Sequence, residues 1–517
     1  MVGQLFDSSM KYLIIVPECC SFLSPAATAQ LIDNALQYAE QGHEVTVTYC
    51  DDSSRHYCFT NTDCSKGVCK MCRSYLQTIL SSREVRRHKD IRWIAYKDNG
   101  LPFPTFEYAS MEDIKKLKYK GVSIGYAAYS TFLSSTRNLY PKINPEFRAY
   151  FDKLLGIACK YTDFTLGIIE NDRPDLICSI NSRSVCSRPL WDISRMKGIQ
   201  YDCWEGAYNR SNQYCKLSFG NSTPHDPETN RRVIEEKWNK SRLPLADRIK
   251  VGEDFFQKRR NSIPSGDKLY VKDQVQGLLP EGFDPAKHNI LILNSSEDEY
   301  AALYEEYVEG IPFRVQYPGI KYIAESLSDD SNYHLYLRIH PNLKGISYLY
   351  HTKLYELAEK NPNLTVIPPD SPVSTYSLID ACEKVMVFGS TTGPEATYWG
   401  KPVILMSNCA YPLINVSYTP RTPEEVIELV KTPDLPPKDR LQAIKFGYYY
   451  LNDENEGYKY FHPYRDHKKL LGRSFDYHKL EAGPLRSKWL ILLQTAGKYF
   501  YYKHLDYPQE EDPALYE

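Results

Sequence analysis

The sequence predicts an α/β fold with two Rossmann-like domains that face each other across a cleft, and three observations support this prediction. The chain has 517 residues, which exceeds the size at which a single hydrophobic core stops growing. Its composition, 42% hydrophobic and 25% charged, is that of a globular protein. Short apolar strands alternate with helical segments in two separate series, a pattern typical of parallel, doubly wound sheets.

The first series lies in the N-terminal half and begins with one βαβ unit. Its strand, helix and second strand are predicted at 12–16, 26–41 and 44–49. A later buried strand at 174–180 precedes the polar cluster Asn181-Ser182-Arg183, and open α/β sheets bind ligands at such strand ends. We therefore expect an N-terminal Rossmann-like domain over residues 1–280, with a cysteine-rich insertion at about 50–75.

The second series contains five predicted strands, at 289–293, 333–339, 364–367, 384–388 and 402–406. Helical segments separate them, so a second Rossmann-like domain is expected over residues 281–435. The proline-rich stretch from Pro433 to Pro437 marks the end of this pattern. Beyond them, residues 436–517 are predicted to form a helical segment that packs back on the N-terminal domain, with its last helix near 485–500.

The strongest candidate site follows the strand at 384–388. There Gly389 and a run of hydroxyl residues lead into a helix with Pro394 in its first turn. Backbone N–H groups, hydroxyls, glycines and the positive end of the helix dipole together suit a phosphate. The residues predicted to bind it are Ser390, Thr391, Thr392 and Gly393, and Glu395 is predicted to accept hydrogen bonds from a ribose. The alternative is a capped helix after a core strand.

A second candidate site ends the strand at 333–339. Arg338 can bind a phosphate through two parallel hydrogen bonds, and His340 can donate a hydrogen bond to a departing phosphate. Both would stabilise a leaving group. The alternative for His340 is an ordinary histidine whose hydrogen bonds are satisfied within the protein.

Three motifs of the second domain can be compared with known families. They are Asn294-Ser295-Ser296-Glu297-Asp298-Glu299, Arg-x-His-Pro at 338–341, and Gly-Ser-Thr-Thr-Gly-x-Glu-Ala-x-x-x-Gly-Lys-Pro at 389–402. Together they resemble the nucleotide-binding half of capsule-polysaccharide-biosynthesis glycosyltransferases. Related His-Pro and Ser/Thr motifs occur in bacterial Kdo transferases, polysialyltransferases and glycerophosphotransferases.

This resemblance implies a GT-B fold whose C-terminal domain, with Ser296, holds a nucleotide-sugar donor of the cytidine or UDP type. It also implies that no metal takes part in catalysis and that the sugar passes to a growing surface or capsule-type glycan. The N-terminal half resembles the same group more faintly, at Gly42 to Val47, Asn181 to Arg183 and Trp204 to Gly206.

In such folds a group of the N-terminal domain deprotonates the acceptor hydroxyl when the transfer inverts the anomeric centre. Glu205 is our first choice for this base, beside His340 as the second catalytic residue, and Glu18 and Asp202 follow it. Glu18, Asn181 and Arg183 are expected on the acceptor side. For Glu205 the alternative is an ordinary solvated or paired side chain.

The cysteine-rich insertion contains Cys50, Cys58, Cys64, Cys69 and Cys72, and the last two form a Cys-x-x-Cys motif. Thiolates at this density, in a stretch that reads as a loop, can hold a structural zinc ion. An iron–sulfur cluster is a less favoured use of the same residues, and thiols without metal are the alternative to both.

Charge and hydropathy exclude several other classes of protein. Lysine plus arginine, 63 residues, nearly cancel aspartate plus glutamate, 65 residues, so no global field attracts nucleic acid. No segment approaches the roughly 20 apolar residues that span a bilayer, and the run at 12–16 is too short for a signal peptide. We expect a cytoplasmic protein. Trp489 to Leu493 can contact a membrane peripherally, or this segment can pack on the first domain.

Three functions remain open at this point. The favoured one is a nucleotide-sugar-dependent glycosyltransferase. A nucleotide-sugar epimerase of the same architecture would bind the same nucleotide without an acceptor. A non-catalytic, zinc-stapled protein that binds a nucleotide or a glycan is the third possibility.

Overall fold

The computed structural model of the protein consists mainly of two β-sheets covered by helices. The residues that it describes are 9–16, 25–50, 66–96, 102–211, 213–263, 270–461, 463–470, 473–480 and 508–516. The predicted α/β fold with two Rossmann-like sheets is confirmed.

The first sheet has six strands, β1 Lys11–Ile15, β2 Glu44–Cys50, β3 Arg92–Tyr96, β4 Leu176–Ile180, β5 Gln200–Tyr208 and β6 Tyr214–Ser218. Their order is β3-β2-β1-β4-β5-β6. The first five are parallel, and β6 pairs antiparallel with β5. Leu13, Ile14 and Ile15 are all buried, as expected for a parallel strand that is covered on both faces.

The helices of this part of the chain are α1 Pro25–Glu40, α2 Lys66–Leu80, α3 Arg83–Arg87, α4 Met111–Lys116, α5 Ile124–Thr136, α6 Pro145–Asp172, α7 Arg188–Lys197, α8 Pro227–Lys240 and α9 Leu245–Arg260. The longest of them, α6, starts with the signals that sequence rules require. Asn144 caps it by accepting a hydrogen bond from the Phe147 N–H at 2.8 Å, and Pro145 occupies the first turn.

The second sheet is entirely parallel and has the order β11-β10-β7-β8-β9. Its strands are β7 His288–Leu293, β8 Tyr333–Arg338, β9 Leu364–Ile367, β10 Lys384–Val387 and β11 Val403–Leu405. The helices of this region are α10 Gln316–Ser326, α11 Leu349–Lys360, α12 Thr375–Ala381, α13 Thr392–Tyr398 and α14 Pro423–Lys431.

Both sheets reverse their direction of winding beside their first strand. The reversal lies between β1 and β4 in the first sheet and between β7 and β10 in the second. In open α/β sheets the loops that follow two such strands diverge and leave a crevice in which ligands bind. The topology therefore marks the loops after β7 and β10 as the first place to look for a site.

Helix α15, Arg440–Leu451, returns from the second sheet and packs along α9. Gly252 of α9 and Gly447 of α15 allow the two backbones to approach closely, because a Cβ atom on either residue would overlap the backbone of the other helix. The hairpin of β12 Pro463–Leu470 and β13 Arg473–Leu480 follows.

The last described segment, 508–516, contacts both parts of the molecule. The Lys142 N–H donates to the Glu510 carbonyl at 2.9 Å, while the Glu511 carboxylate accepts from the Leu349 N–H, at the start of α11. The helix predicted near 485–500 lies outside the described residues.

The Cys-x-x-Cys motif departs from its prediction as a loop. Cys69 and Cys72 lie one turn apart on α2, where both are buried, because the apolar residues of this segment repeat with helical spacing. Cys50 ends β2, and Cys58 and Cys64 lie outside the described residues. The described part of the chain holds no group of three metal-ligating side chains, so zinc stays a prediction. None of the helices in that part is long and apolar enough to cross a membrane.

Candidate functional site

A pocket of about 650 Å³, its solvent-filled mouth included, lies at the carboxyl edge of the second sheet. It opens at the reversal point, because Asn294 follows β7 and Ser390 follows β10. The sequence-predicted residues that line it are Arg338, His340, Ser390, Thr391, Thr392 and Glu395.

Arg338 ends β8 and is only 3% exposed. Its Nη2 donates to the Ser371 carbonyl at 3.0 Å, while its buried Nε and Nη1 have no acceptor among the described residues. Burial lowers the pKa of Arg338 to about 10, an effect that the Asp370 carboxylate only partly opposes. A buried cation with two unmatched donors is costly, and an anion in the pocket would match both of them.

His340 follows two residues later, and the loop holds its imidazole in one orientation. The His340 N–H donates to Asn294 Oδ1 at 2.7 Å, and its Nδ1 accepts from the Asn342 N–H at 3.1 Å. Because Nδ1 is an acceptor, the ring proton of the neutral imidazole lies on Nε2. The Tyr270 ring contacts the imidazole edge to face, with centroids 5.0 Å apart. His340 therefore carries an N–H donor in a wall of the pocket.

The loop after β10 makes several of its hydrogen bonds within itself. The Ser390 carbonyl accepts from the Gly393 N–H at 3.0 Å, and Ser390 Oγ accepts from the Thr392 N–H at 3.3 Å. Gly393 does not line the pocket, and a Cβ atom there would lie 2.5 Å from the Tyr411 hydroxyl oxygen. The side chains of Ser390, Thr391 and Thr392 thus face the pocket, whereas Gly393 makes room for a tyrosine.

Glu395 forms a buried ion pair in the pocket wall. It is 1% exposed, and its Oε1 accepts from Arg259 Nε at 2.9 Å. Its other oxygen accepts from the Tyr376 hydroxyl, and Arg259 Nη2 also donates to Thr391 Oγ1 at 3.3 Å. Glu395, which was predicted to bind a ribose, is therefore the counter-ion of Arg259 on α9.

Several residues of the pocket were not predicted from the sequence. Arg259 is the middle residue of a Lys-Arg-Arg run at the end of a helix, where basic residues ordinarily complement the helix dipole, and so it gave no signal. Tyr270 and Gln274 lie in a segment without a periodic pattern. Nothing local could have joined these residues to Glu395, more than one hundred positions further on.

The first sheet brings Glu205, Asn181 and Arg183 together. Asn181 Nδ2 donates to Glu205 Oε1 at 2.8 Å, and the charge of Arg183 acts on the same carboxylate. Burial raises the pKa of Glu205 to about 7, against these two opposing influences. A carboxylate with a pKa near neutrality is suited to accept a proton from a hydroxyl group.

The loop that carries these residues has an uncommon backbone conformation. Asn181 and Ser182 have φ values of +65° and +70°, in the left-handed region that favours glycine. Ser182 is held there by hydrogen bonds of its hydroxyl with the Tyr201 hydroxyl at 2.7 Å and with Cys203 Sγ at 3.1 Å. These contacts direct Arg183 away from its own sheet, towards the second domain.

Contacts across the domain interface connect this group to the pocket. Arg183 donates to the Glu299 carbonyl, and Glu299 Oε1 accepts from Asn342 Nδ2 at 3.1 Å. Asn342 Oδ1 accepts from the Tyr270 hydroxyl at 2.9 Å, and Tyr270 lines the pocket. The carboxyl edges of the two sheets therefore meet at one place.

Other predicted residues lie elsewhere. Ser296 is buried outside the pocket, where its hydroxyl accepts from Arg137 Nη2 at 3.0 Å. Asp202 accepts from Trp204 Nε1 and the Ser218 hydroxyl, both at 2.7 Å. Glu18 lies outside the described residues. His225, near Arg183, is a further candidate for a residue of the functional site. Burial lowers its pKa to about 3, and its buried Nε2 has no partner among the described residues.

Comparisons with known proteins give similar solved structures at low identity. No protein-family profile matches the chain, and no curated protein matches it in sequence. Among solved structures, KpsC of Thermosulfurimonas dismutans, a beta Kdo 2,4 transferase, is 14% identical, with a TM-score of 0.35 over 59% of this chain and 84% of that one.

Two further solved structures cover more of the chain. UDP-GlcNAc 2-epimerase from Neisseria meningitidis, bound to UDP-GlcNAc, is 11% identical with a TM-score of 0.29 over 85% of this chain and 97% of that one. A glycosyltransferase from Rickettsia africae is 9% identical with a TM-score of 0.27 over 96% and 98%. Similarity at this level assigns no role to any residue of the present chain.

Proposed function

We propose that the protein is a glycosyltransferase that moves a sugar from a nucleotide-activated donor to a glycan acceptor. One observation carries this proposal, namely the buried Arg338 guanidinium at the reversal point of a parallel sheet, two of whose donors have no acceptor in the described part of the chain. Phosphate matches the planar fork of an arginine, and nucleotides commonly bind where such sheets reverse.

The charges of the pocket residues favour a ligand that carries a single negative charge beside Arg338. Its described charged lining residues include Arg259, Arg338 and Glu395, and Glu395 already neutralises Arg259. One positive charge, on Arg338, is therefore left for the ligand. A cytidine-type donor with a single phosphate balances it, whereas a UDP-type donor would bring a second negative charge.

In the proposed reaction Glu205 takes the proton of the acceptor hydroxyl while the hydroxyl oxygen bonds to the anomeric carbon. The bond between that carbon and the phosphate oxygen breaks, and negative charge develops on the leaving phosphate. Arg338 and the Nε2–H of His340 would stabilise this charge on the leaving phosphate. Both groups are side chains, so the mechanism assigns no step to a metal ion.

The acceptor is proposed to be a growing surface or capsule-type glycan. Support for this class of acceptor comes from the resemblance of the motifs at 294–299, 338–341 and 389–402 to transferases of that kind. Glu205, Asn181 and Arg183 of the N-terminal domain would contact the hydroxyl of the acceptor to which the donor sugar is transferred.

The first test is thermal unfolding of the purified protein with CMP, CDP, UDP, GDP, ADP and dTDP. A nucleotide that binds the folded protein raises the unfolding temperature, and we expect CMP to do so most strongly. The matching nucleotide sugar is then incubated with glycan acceptors, and the products are analysed by mass spectrometry. Sugar conversion without an acceptor would indicate an epimerase instead, and no stabilisation at millimolar nucleotide would refute the proposal.

A further inference from the structure

Arg137 connects the N-terminal domain to the loops that form the pocket. It follows α5 as the C-cap residue, with φ +60°, in the left-handed conformation that usually favours glycine at this position. Its side chain leaves the N-terminal domain altogether and ends against the loops after β7 and β8. A residue other than glycine at such a cap suggests that the side chain is needed.

The guanidinium uses all three of its nitrogens in this contact. Nε and Nη2 donate to the two oxygens of Asp298, at 2.8 and 3.0 Å. Nη2 also donates to Ser296 Oγ at 3.0 Å, and Nη1 donates to the Asn342 carbonyl at 2.7 Å. Asp298 is 8% exposed and Arg137 28%, so the ion pair is well shielded from solvent. The planar fork of arginine presents its donors in a fixed geometry, which the rotatable ammonium of a lysine does not.

The Asn342 contact bears directly on His340. Asn342 gives its N–H to His340 Nδ1, and the carbonyl of the same residue accepts from Arg137. Its side chain is engaged on both ends, by Tyr270 and Glu299. Asn342 is therefore held from several sides, and Arg137 is the contact that comes from α5 of the other domain.

We propose that Arg137 is a positioning residue for His340. By holding Asn342, it fixes the hydrogen bond that keeps the imidazole Nδ1 turned inwards, and so it sets the orientation in which the ring would meet a phosphate. This inference rests on the proposed function, because that function gives His340 its role. The inference adds that affinity for the nucleotide depends on the contact between Arg137 of the N-terminal domain and the Asn342 carbonyl.

A double-mutant cycle tests the proposal, with nucleotide affinity measured by calorimetry on wild type, Arg137→Gln, His340→Ala and the double variant. The probe is CMP, or whichever nucleotide stabilises the wild type most. Arg137→Gln is expected to weaken binding about fivefold in the wild-type background and less than about twofold in the His340→Ala background. Residues that act through one another are non-additive in this way, whereas a merely structural contribution is the same in both backgrounds.

Arg188→Gln is the matched control. Arg188 also crosses the interface, since its Nη1 donates to the Leu303 carbonyl at 2.7 Å, but it does not reach Asn342. Nucleotide affinity should therefore change by less than about twofold in both backgrounds. Arg137→Lys is the second variant, in case Arg137→Gln folds poorly. It keeps the charge opposite Asp298 but loses the fork, and it should bind nucleotide as weakly as Arg137→Gln.

Three results would overturn the proposal. Equal losses from Arg137→Gln in the two backgrounds would show that Arg137 does not act through His340. Wild-type affinity in Arg137→Lys would show that the fork is not needed. Either result leaves the proposed function standing if the wild type binds nucleotide, whereas a wild type that binds none refutes both.

Discussion

Replacing Arg338 with methionine is expected to stabilise the protein in the absence of nucleotide and to weaken nucleotide binding. Arg338 is 3% exposed, and its Nε and Nη1 have no acceptor among the described residues. Methionine has a similar length, fills the same space and has no donors to leave unmatched. The substitution thus removes an unfavourable group from the folded state together with the proposed phosphate ligand.

The magnitude follows from the contacts. Each buried donor without a partner costs roughly 1–3 kcal/mol, and the bond to the Ser371 carbonyl returns about 1.5–3 kcal/mol. The lowering of the Arg338 pKa to about 10, in which burial outweighs the charge of Asp370, corresponds to a net cost of roughly 3 kcal/mol. We therefore expect Arg338→Met to raise the free energy of unfolding by about 1–2 kcal/mol. The loss of charged hydrogen bonds to phosphate should lower nucleotide affinity roughly 10- to 100-fold.

The assay is thermal and urea unfolding of both proteins without nucleotide, followed by calorimetric titration with nucleotide. A gain of 1–2 kcal/mol raises the unfolding temperature by roughly 2–8 °C for a domain of this size. Arg259→Met is the matched control, because it removes a buried arginine from the same pocket. There the change leaves the buried Glu395 without its cation, so a loss of about 3–5 kcal/mol is expected.

The critical result is that the free energy of unfolding rises in Arg338→Met and falls in Arg259→Met. If Arg338→Met destabilises the protein as Arg259→Met does, Arg338 already has a partner in the nucleotide-free protein. The argument that this guanidinium is matched only by a phosphate would then fail. Unchanged nucleotide affinity in Arg338→Met would refute its role as a ligand.

Three more predictions concern Glu205, Glu297 and Gly393. Glu205→Gln should lower the transfer rate roughly 10²- to 10⁴-fold without changing nucleotide affinity. The kcat/KM of the wild type should rise as the pH passes through about 7, because Glu205 must lose its proton to act as a base. A kcat/KM that does not change with pH would show that Glu205 is not the base. Burial raises the pKa of Glu297 from 4.5 to about 8, so the folded protein keeps a proton that the unfolded chain has lost. Its stability should accordingly fall as pH rises from about 4.5 to 8, and Glu297→Gln should flatten this slope in urea unfolding at several pH values; an unaltered slope would contradict the assignment. Gly393→Ala should lower the free energy of unfolding by about 1–3 kcal/mol, because the new Cβ meets Tyr411, and added Tyr411→Phe should restore part of it; no recovery would place the strain elsewhere.

Much of the fold was readable from local patterns. Strand β9 has the predicted bounds, and the remaining strands of the second sheet agree with their predicted bounds within one residue at each end. Buried parallel strands are short apolar runs between turn residues, so the signal lies within a few neighbouring positions. The Cys-x-x-Cys segment is a helix and not the predicted loop, because its apolar residues repeat with helical spacing.

The chemistry at the strand ends was partly readable for the same reason. Arg338, His340 and Ser390 were predicted, because a polar residue at the end of a buried strand, or a few positions after it, must lie at the edge of the sheet. The partners of these side chains in the folded protein were not predicted. Glu395 is paired with Arg259, and Gly393 accommodates Tyr411, through contacts that no local pattern contains.

The sequence by itself therefore determined the fold class, the two strand–helix series and the positions at which polar groups leave the second sheet. These properties depend on hydrophobic periodicity and on turn chemistry, both of which are local. The tertiary structure alone decided that two donors of Arg338 find no acceptor among the residues described, that Glu205 has a pKa near neutrality, and that Arg137 reaches Asn342. Burial and ion pairing are set by residues distant in sequence, and their energies appear only when the chain has brought those residues together.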